Sequence, residues 1–295
     1  MVWCQSSPRP RDMYGVKHFR LNLQLPPPTF WCNAGLWTDD STDFATACEQ
    51  LVLAVAGKLG IRAGDRLLDV GYGCGDSCFL ISNRFDCQVT GITSEHTQWR
   101  LSQDRCDALP KSHREKLSLL HGSAVELDKA LMQDDTQSVF DHITSIDSAY
   151  HYDTRQAFFQ QARNHLKPNG TLALYDLVVH DDVNLTTPRS RLFLKVMCWY
   201  LRLPLGNLVN QNTYRAYLEQ AGYHHIEFDS LPPNQVFGGL SRHCLRQRKE
   251  MKTWRLGNWQ DMLYLTISST IFGQLASHRW LQPTIIKAQA AAGGD

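Results

Sequence analysis

The sequence predicts an α/β fold, a parallel sheet with helices packed on both faces. Two observations carry this. Short apolar runs near residues 66–70, 87–93, 117–120, 139–146 and 171–178 alternate with stretches of helical periodicity. The first run, Arg66–Val70, passes directly into Gly71-Tyr72-Gly73-Cys74-Gly75, a glycine-rich turn that opens a helix.

The elements follow in order. Residues 1–30 read as a flexible basic leader, with Arg9, Arg11, Lys17 and Arg20 against Asp12, closed by Pro26-Pro27-Pro28. A mitochondrial transit segment is the alternative reading. Ser41 or Thr42 is placed to cap a helix, because Phe44, Cys48, Leu51, Val52, Val55 and Leu59 recur at helical spacing. After the strand and glycine turn, Cys87–Thr93 reads as a second strand and Ser94–Ala108 as a helix. Leu117–Leu120 and Val139–Ile146 are strands three and four, and Thr154–Leu166 is helical. Lys167-Pro168-Asn169-Gly170 is a turn before strand five, Thr171–Val178. Beyond Val179 the rhythm changes. Arg189–Leu203, Asn212–Ala221 and most of Ser241–Ala276 look helical, His225–Phe228 looks like a strand, and Ile285-Ile286 reads as a last strand. The chain thus divides into the leader, a sheet core over 31–180, and 181–295, which supplies cap helices and the last strands.

Composition excludes several classes. The 295 residues are 43% hydrophobic and carry a formal net charge of +1, so there is no basic field to attract nucleic acid. Nine cysteines form no CxxC pair and read as reduced thiols of an intracellular, cytoplasmic protein. The uncharged stretch Met262–Ser277 is too short to span a bilayer and carries Ser, Thr and Gln. No metal-ligand cluster is visible.

The chemistry lies at the glycine turn. Its backbone can approach a ligand closely, and the helix that follows offers N–H groups. A dinucleotide fingerprint needs a third glycine where Asp76 stands, which disfavours a nicotinamide oxidoreductase. Asp69, two residues before the first glycine, would repel a phosphate and suits an ammonium group. From Asp69 to Gly75 the sequence resembles the first motif of class I S-adenosylmethionine-dependent methyltransferases. That resemblance implies a Rossmann-like seven-stranded sheet with a helical cap, S-adenosylmethionine as cofactor, and Asp69, Gly71, Gly73 and Gly75 as cofactor-binding residues.

Gly91-Ile92-Thr93-Ser94-Glu95-His96-Thr97-Gln98 is similar to the second-strand variant of the cyclopropane-synthase-like methyltransferases. It implies that Thr93 and Gln98 serve where an acid usually binds the ribose, with Glu95 as the alternative ribose ligand. Alone, these residues would read as a helix cap and a solvent-facing Gln. After the third strand, Leu120, Ser123 and Ala124 become adenine-pocket candidates, Ser123 replacing the family's usual Asp.

The exit of strand four, Asp147-Ser148-Ala149-Tyr150-His151, resembles the corresponding loop of phosphoethanolamine-type N-methyltransferases. The resemblance implies Asp147 and His151 as catalytic residues, His151 pairing with an N-terminal tyrosine. Tyr14 is the candidate, with Trp31 and Trp37 as alternative lids. His151 would act as base or latch; a cap or packing histidine is the bland alternative. Leu166-Lys167-Pro168-Asn169-Gly170 looks like the family's turn before strand five, with Asn for its first Gly.

In the C-terminal third, aromatics such as Trp199, Tyr200, Tyr214, Phe237, Trp254 and Trp259 read mostly as core, a few lining an acceptor pocket. The cations of residues 242–255 read as a solvated face, with a membrane surface as the sharper alternative. The implied activity is methyl transfer to a small-molecule acceptor, nitrogen first, oxygen next, and carbon of a lipid or isoprenoid last. The reading from another class is a non-catalytic cofactor-binding module on the same fold.

Overall fold

The computed structural model describes residues 29–132, 139–180, 188–278 and 280–292. Tyr14 and nearly all of the leader therefore lie outside the described residues. Among those described, one sheet of seven strands forms in the order β3-β2-β1-β4-β5-β7-β6. Its strands are β1 (Arg66–Val70), β2 (Gln88–Thr93), β3 (Leu117–His121), β4 (Phe140–Ile146), β5 (Leu166–Val179), β6 (Tyr223–Ser230) and β7 (Leu281–Ala290). The first five pair in parallel, and β7 runs antiparallel between β5 and β6. In β1 every residue after Arg66 is buried, as a central parallel strand covered on both faces requires.

Two apolar cores lie on the two faces of the sheet. One gathers α1 (Phe44–Ala56), α2 (Asp76–Phe85), α3 (His96–Asp107) and the cap helices α7 (Pro188–Leu201), α9 (Gly239–Thr253) and α10 (Trp259–Ser277). The other gathers α5 (Leu127–Leu131), α6 (Arg155–Asn164) and α8 (Gln211–Gln220). A short α4 (Lys111–Arg114) leads into β3.

Several boundaries differ from the sequence reading, each for a local reason. Asp43, not Ser41 or Thr42, caps α1, its carboxylate accepting from Thr46 N at 2.8 Å. The expected turn at 167–170 is absorbed into β5 as a bulge. Phe140 faces Leu166 but His142 faces Thr171, and Asn169 takes up the slack at φ 60°. Asn tolerates this left-handed conformation better than most side chains, so it can stand where the family pattern has Gly.

Two features fix the carboxyl edge of the sheet, where ligands of open α/β sheets bind. Beneath it, Arg155 and Asp176 form an ion pair at 2.9 Å with exposures of 1% and 0%. Tyr214 donates to the same carboxylate at 2.6 Å, and Arg155 also donates to the carbonyl of Asn207 at 2.8 Å. Across the edge runs a strap, residues 29–43. Phe30 N–H donates to Asp76, Ala34 N–H to Asp147, and Trp37 N–H to the carbonyl of Gln235.

Candidate active site

A cavity of about 440 Å³ opens at the carboxyl edge. Its lining divides into two halves. The ends of β1, β2, β3 and β4 and the strap line one, and the cap helices line the other.

The glycine turn forms the floor of the first half. Gly71 and Gly73 line the cavity at φ 87° and 67°, a backbone that L side chains rarely adopt. A Cβ on Gly71 would lie 2.0 Å from the Ser148 hydroxyl, and one on Gly73 3.1 Å from the Cys32 Cβ. Gly75 does not line the cavity. It caps α2, where a Cβ would meet the Phe79 ring at 2.8 Å. Asp69 also lies off the main cavity and lines a small void behind the turn. Its Oδ2 accepts from Ser77 Oγ at 2.5 Å and from Cys78 Sγ at 3.5 Å, while its buried Oδ1 has no partner among the described residues. Burial raises its pKa to about 6, against the lowering effect of Ser77 and Cys78. Asp69 thus holds the turn and the start of α2 from behind.

Thr93, Glu95 and Gln98 all line the cavity and all are buried. Thr93 Oγ1 donates to Gln98 Oε1 at 3.3 Å, because Gln98 sits in the first turn of α3, just after the end of β2. Ser123 and Ala124 line the far end beside Gly122 and Val125. Leu120 does not; its side chain packs into the opposite core.

Asp147 and His151 meet the cavity at the β4 exit. Asp147 stands at φ 58° and is half-buried beneath the strap; its carboxylate accepts from Ala34 N at 2.6 Å and from the Tyr150 hydroxyl. Burial raises its pKa to about 6, opposed by those two hydrogen bonds. Its two oxygens are committed to protein donors, so it positions Tyr150 and the strap. His151 ends a 3-10 turn, Ala149–His151, that is locked by Asn207 Nδ2 donating to the carbonyls of Tyr150 at 2.9 Å and Tyr152 at 2.8 Å. The His151 ring lies 4.3 Å from that of Tyr150, and its Nδ1 is 3.4 Å from the carbonyl of Arg202.

Neither Trp31 nor Trp37 lines the main cavity. Trp37 is buried against Phe44 and His243 and donates Nε1–H to Ala34 at 2.9 Å, and Trp31 lines the small void. In the cap, Arg242 pairs with Asp40 at 3.0 Å and Arg246 lies over the Trp37 ring at 5.6 Å. These two cations of the basic run hold the strap.

Reasoning from sequence missed Tyr175 and Tyr152, whereas Tyr200, one of the expected cap aromatics, does line the cavity. Tyr175 is fully buried within β5, opposite Ile146 at the end of β4, lines the cavity, and its hydroxyl has no partner among the described residues. Burial, with Asp147 and Asp176 nearby, pushes that phenol well above its ordinary range, so it is a neutral donor. Tyr152 donates to the carbonyl of Val70 at 2.8 Å and supports the end of β1. Within TLALYDLV nothing in the sequence sets Tyr175 apart from the strand's apolar positions.

The fold and the glycine-lined cavity define a class I S-adenosylmethionine-dependent methyltransferase of the small-molecule type, an enzyme. A model of the mycolic acid cyclopropane synthetase family matches residues 17–272, and the chain belongs to that family. Over 236 residues it is 27% identical to erythromycin 3''-O-methyltransferase of Saccharopolyspora erythraea, covering 79% of this chain and 74% of that one. Among solved structures it resembles the cyclopropane synthase MmaA2 of Mycobacterium tuberculosis, with a TM-score of 0.71, 20% identity, and 92% and 93% of the two chains covered. The [4+2]-cyclase SpnF gives the same TM-score at 16% identity over 95% and 94%. These two likenesses are of fold alone, and one of them carries a different chemistry.

The residues present fit S-adenosylmethionine. The turn leaves backbone bare of side chains on the cavity floor, Thr93, Glu95 and Gln98 offer polar atoms beyond it, and the Tyr175 hydroxyl awaits a partner.

Proposed function

We propose that the enzyme methylates a hydroxyl group of a small, largely apolar molecule, with His151 as the base. The observation that carries this is the lining of the acceptor half. Tyr200, Leu201, Phe237, Leu240, Tyr264, Phe272 and Leu275 form most of it, beside Arg202 and Ser268, and among the described cap residues of the lining none is acidic. The sequence alone ranks a nitrogen acceptor first. A protonated amine, however, would have to shed its hydration against this cap wall, whose charged residue, Arg202, is itself a cation. A neutral hydroxyl on an apolar body meets no such cost. The O-methyltransferase among the relatives agrees with that preference.

S-Adenosylmethionine supplies a methyl group on a sulfonium, so the protein's part is alignment, dryness and proton removal. In this reading Gly71 and Gly73 admit the methionine end, Thr93, Glu95 and Gln98 hold the ribose, and Ser123 and Ala124 flank the adenine. With Nδ1–H donating to the carbonyl of Arg202, the His151 lone pair lies on Nε2 and can take the acceptor's proton as the C–O bond forms. Tyr175 can donate to an acceptor or cofactor oxygen. Asp147 acts through Tyr150 and the strap.

The test is a screen of phenols, sugar alcohols, polyketide alcohols and amines with methyl-labelled cofactor. Label in an apolar alcohol or phenol supports the reading. Label confined to charged amines overturns it.

A further inference from the structure

Cys32 and Cys74 lie 42 residues apart in the chain, yet their sulfurs are 3.8 Å apart. Cys74 belongs to the glycine turn and Cys32 to the strap. Both backbones are held. On either side of Cys32 the strap is pinned, Phe30 N–H to Asp76 at 3.1 Å and Ala34 N–H to Asp147 at 2.6 Å. The Cys74 carbonyl accepts from Arg105 at 2.7 Å, and the same guanidinium makes two 2.7 Å bonds to Asp76. A disulfide needs its sulfurs about 2.05 Å apart, so closing the 3.8 Å separation takes roughly 1.8 Å of travel, within reach of side-chain rotation.

Cys32 Sγ also donates to the carbonyl of Phe30 at 3.4 Å, but among the described cysteines only Cys32 and Cys74 make a sulfur–sulfur contact. Cys48 and Cys87 turn their S–H groups to backbone carbonyls, and Cys78 turns its own to Asp69. Cys32 is partly exposed and lines the cavity, whereas Cys74 is buried. An oxidant entering the cavity therefore meets Cys32 first.

We propose that Cys32 and Cys74 form a redox modification site, in which a hydroperoxide joins the strap to the cofactor turn through a disulfide. The Cys32 sulfur attacks the O–O bond of hydrogen peroxide, giving a sulfenic acid and water. The Cys74 sulfur then attacks the Cys32 sulfur. The S–S bond forms, the S–O bond breaks, and the departing hydroxide leaves as water with the Cys74 proton. Two thiols lose two electrons, and one peroxide becomes two waters. Because Cys32, Asn33 and Ala34 of the strap line the same half of the cavity as Gly71 and Gly73 of the turn, the cross-link stops strap and turn from parting. Cofactor exchange slows while the site stays assembled.

The experiment uses the full chain, hydrogen peroxide and labelled S-adenosylhomocysteine, and it needs no methyl acceptor. Oxidised protein should yield one cross-linked peptide pair joining Cys32 to Cys74, lighter by about 2 Da and restored by dithiothreitol. Release of the label should slow roughly tenfold or more, as when a gating motion is removed. Cys32→Ser should give no cross-link, and its release rate should be the same before and after peroxide. Three results would overturn the proposal: separate sulfinic acids on the two residues, a cross-link of Cys32 to another cysteine, or a Cys32–Cys74 bond that leaves release unchanged.

Discussion

Asp147 accepts a 2.6 Å hydrogen bond from the backbone N–H of Ala34, which ties the exit of β4 to a strap 113 residues earlier. The contact closes the carboxyl edge of the sheet and buries a carboxylate whose pKa is raised from 3.8 to about 6 by desolvation. In the unfolded chain that group ionises first. Its contribution to stability is therefore full below about pH 3.8 and is lost as pH rises to about 6. Asp147→Asn does not titrate. Measured by denaturant unfolding without cofactor, the stability of the variant relative to wild type should rise between pH 4 and 7 by up to about 3 kcal/mol, at about 1.4 kcal/mol per unit. A difference that is flat with pH would contradict the burial of this carboxylate.

The glycine turn offers a sharper test of cofactor placement. Gly73→Val puts a branched side chain at φ 67° against Cys32 and into the cavity floor. Binding of S-adenosylmethionine by calorimetry should disappear while the far-UV spectrum and cooperative unfolding persist. Unchanged affinity in a folded variant would remove the turn from the cofactor site.

Beyond the turn, the β2 end should bear on affinity and not on folding. Removing one hydrogen bond to the ribose costs about 1 kcal/mol, so Thr93→Val and Gln98→Ala should each weaken cofactor binding several-fold. If Glu95→Ala abolishes binding and both others leave it intact, the acid holds the ribose and the variant-motif reading fails.

The buried pair under the site is a stability element. Arg155 and Asp176 are 1% and 0% exposed, so deleting either charge strands the other. Asp176→Ala should cost about 3–5 kcal/mol in chemical denaturation. A loss below about 1 kcal/mol would mean that Arg155 finds water or another acceptor.

Much of this was legible in the sequence, for physical reasons. Parallel strands buried on both faces leave apolar runs such as Leu67-Leu68 and Val70, broken here by Asp69, and a turn that must approach a ligand leaves glycines. Both signals are local. The insertion of β7 between β5 and β6 is not, because antiparallel pairing of Leu281–Ala290 with Leu166–Val179 depends on contacts more than a hundred residues apart. The division of labour within Asp69–Gly75 was hidden as well. The motif names seven consecutive residues, but Gly71 and Gly73 face the cavity while Gly75 caps a helix and Asp69 braces the turn from behind. Tyr175 was invisible for a related reason: in TLALYDLV it looks like one more apolar position of a strand.

The central claim is that His151 takes the acceptor's proton. It is tested most directly by a pH–rate profile of wild type and His151→Ala with the acceptor found in the labelled-methyl screen. In wild type, turnover should rise as the imidazole loses its proton and then level off. His151→Ala should lower turnover by roughly 10²–10⁴-fold and abolish that inflection, with cofactor affinity nearly unchanged. Near-full turnover in His151→Ala with the wild-type profile would contradict the account and leave His151 a packing residue beside Tyr150.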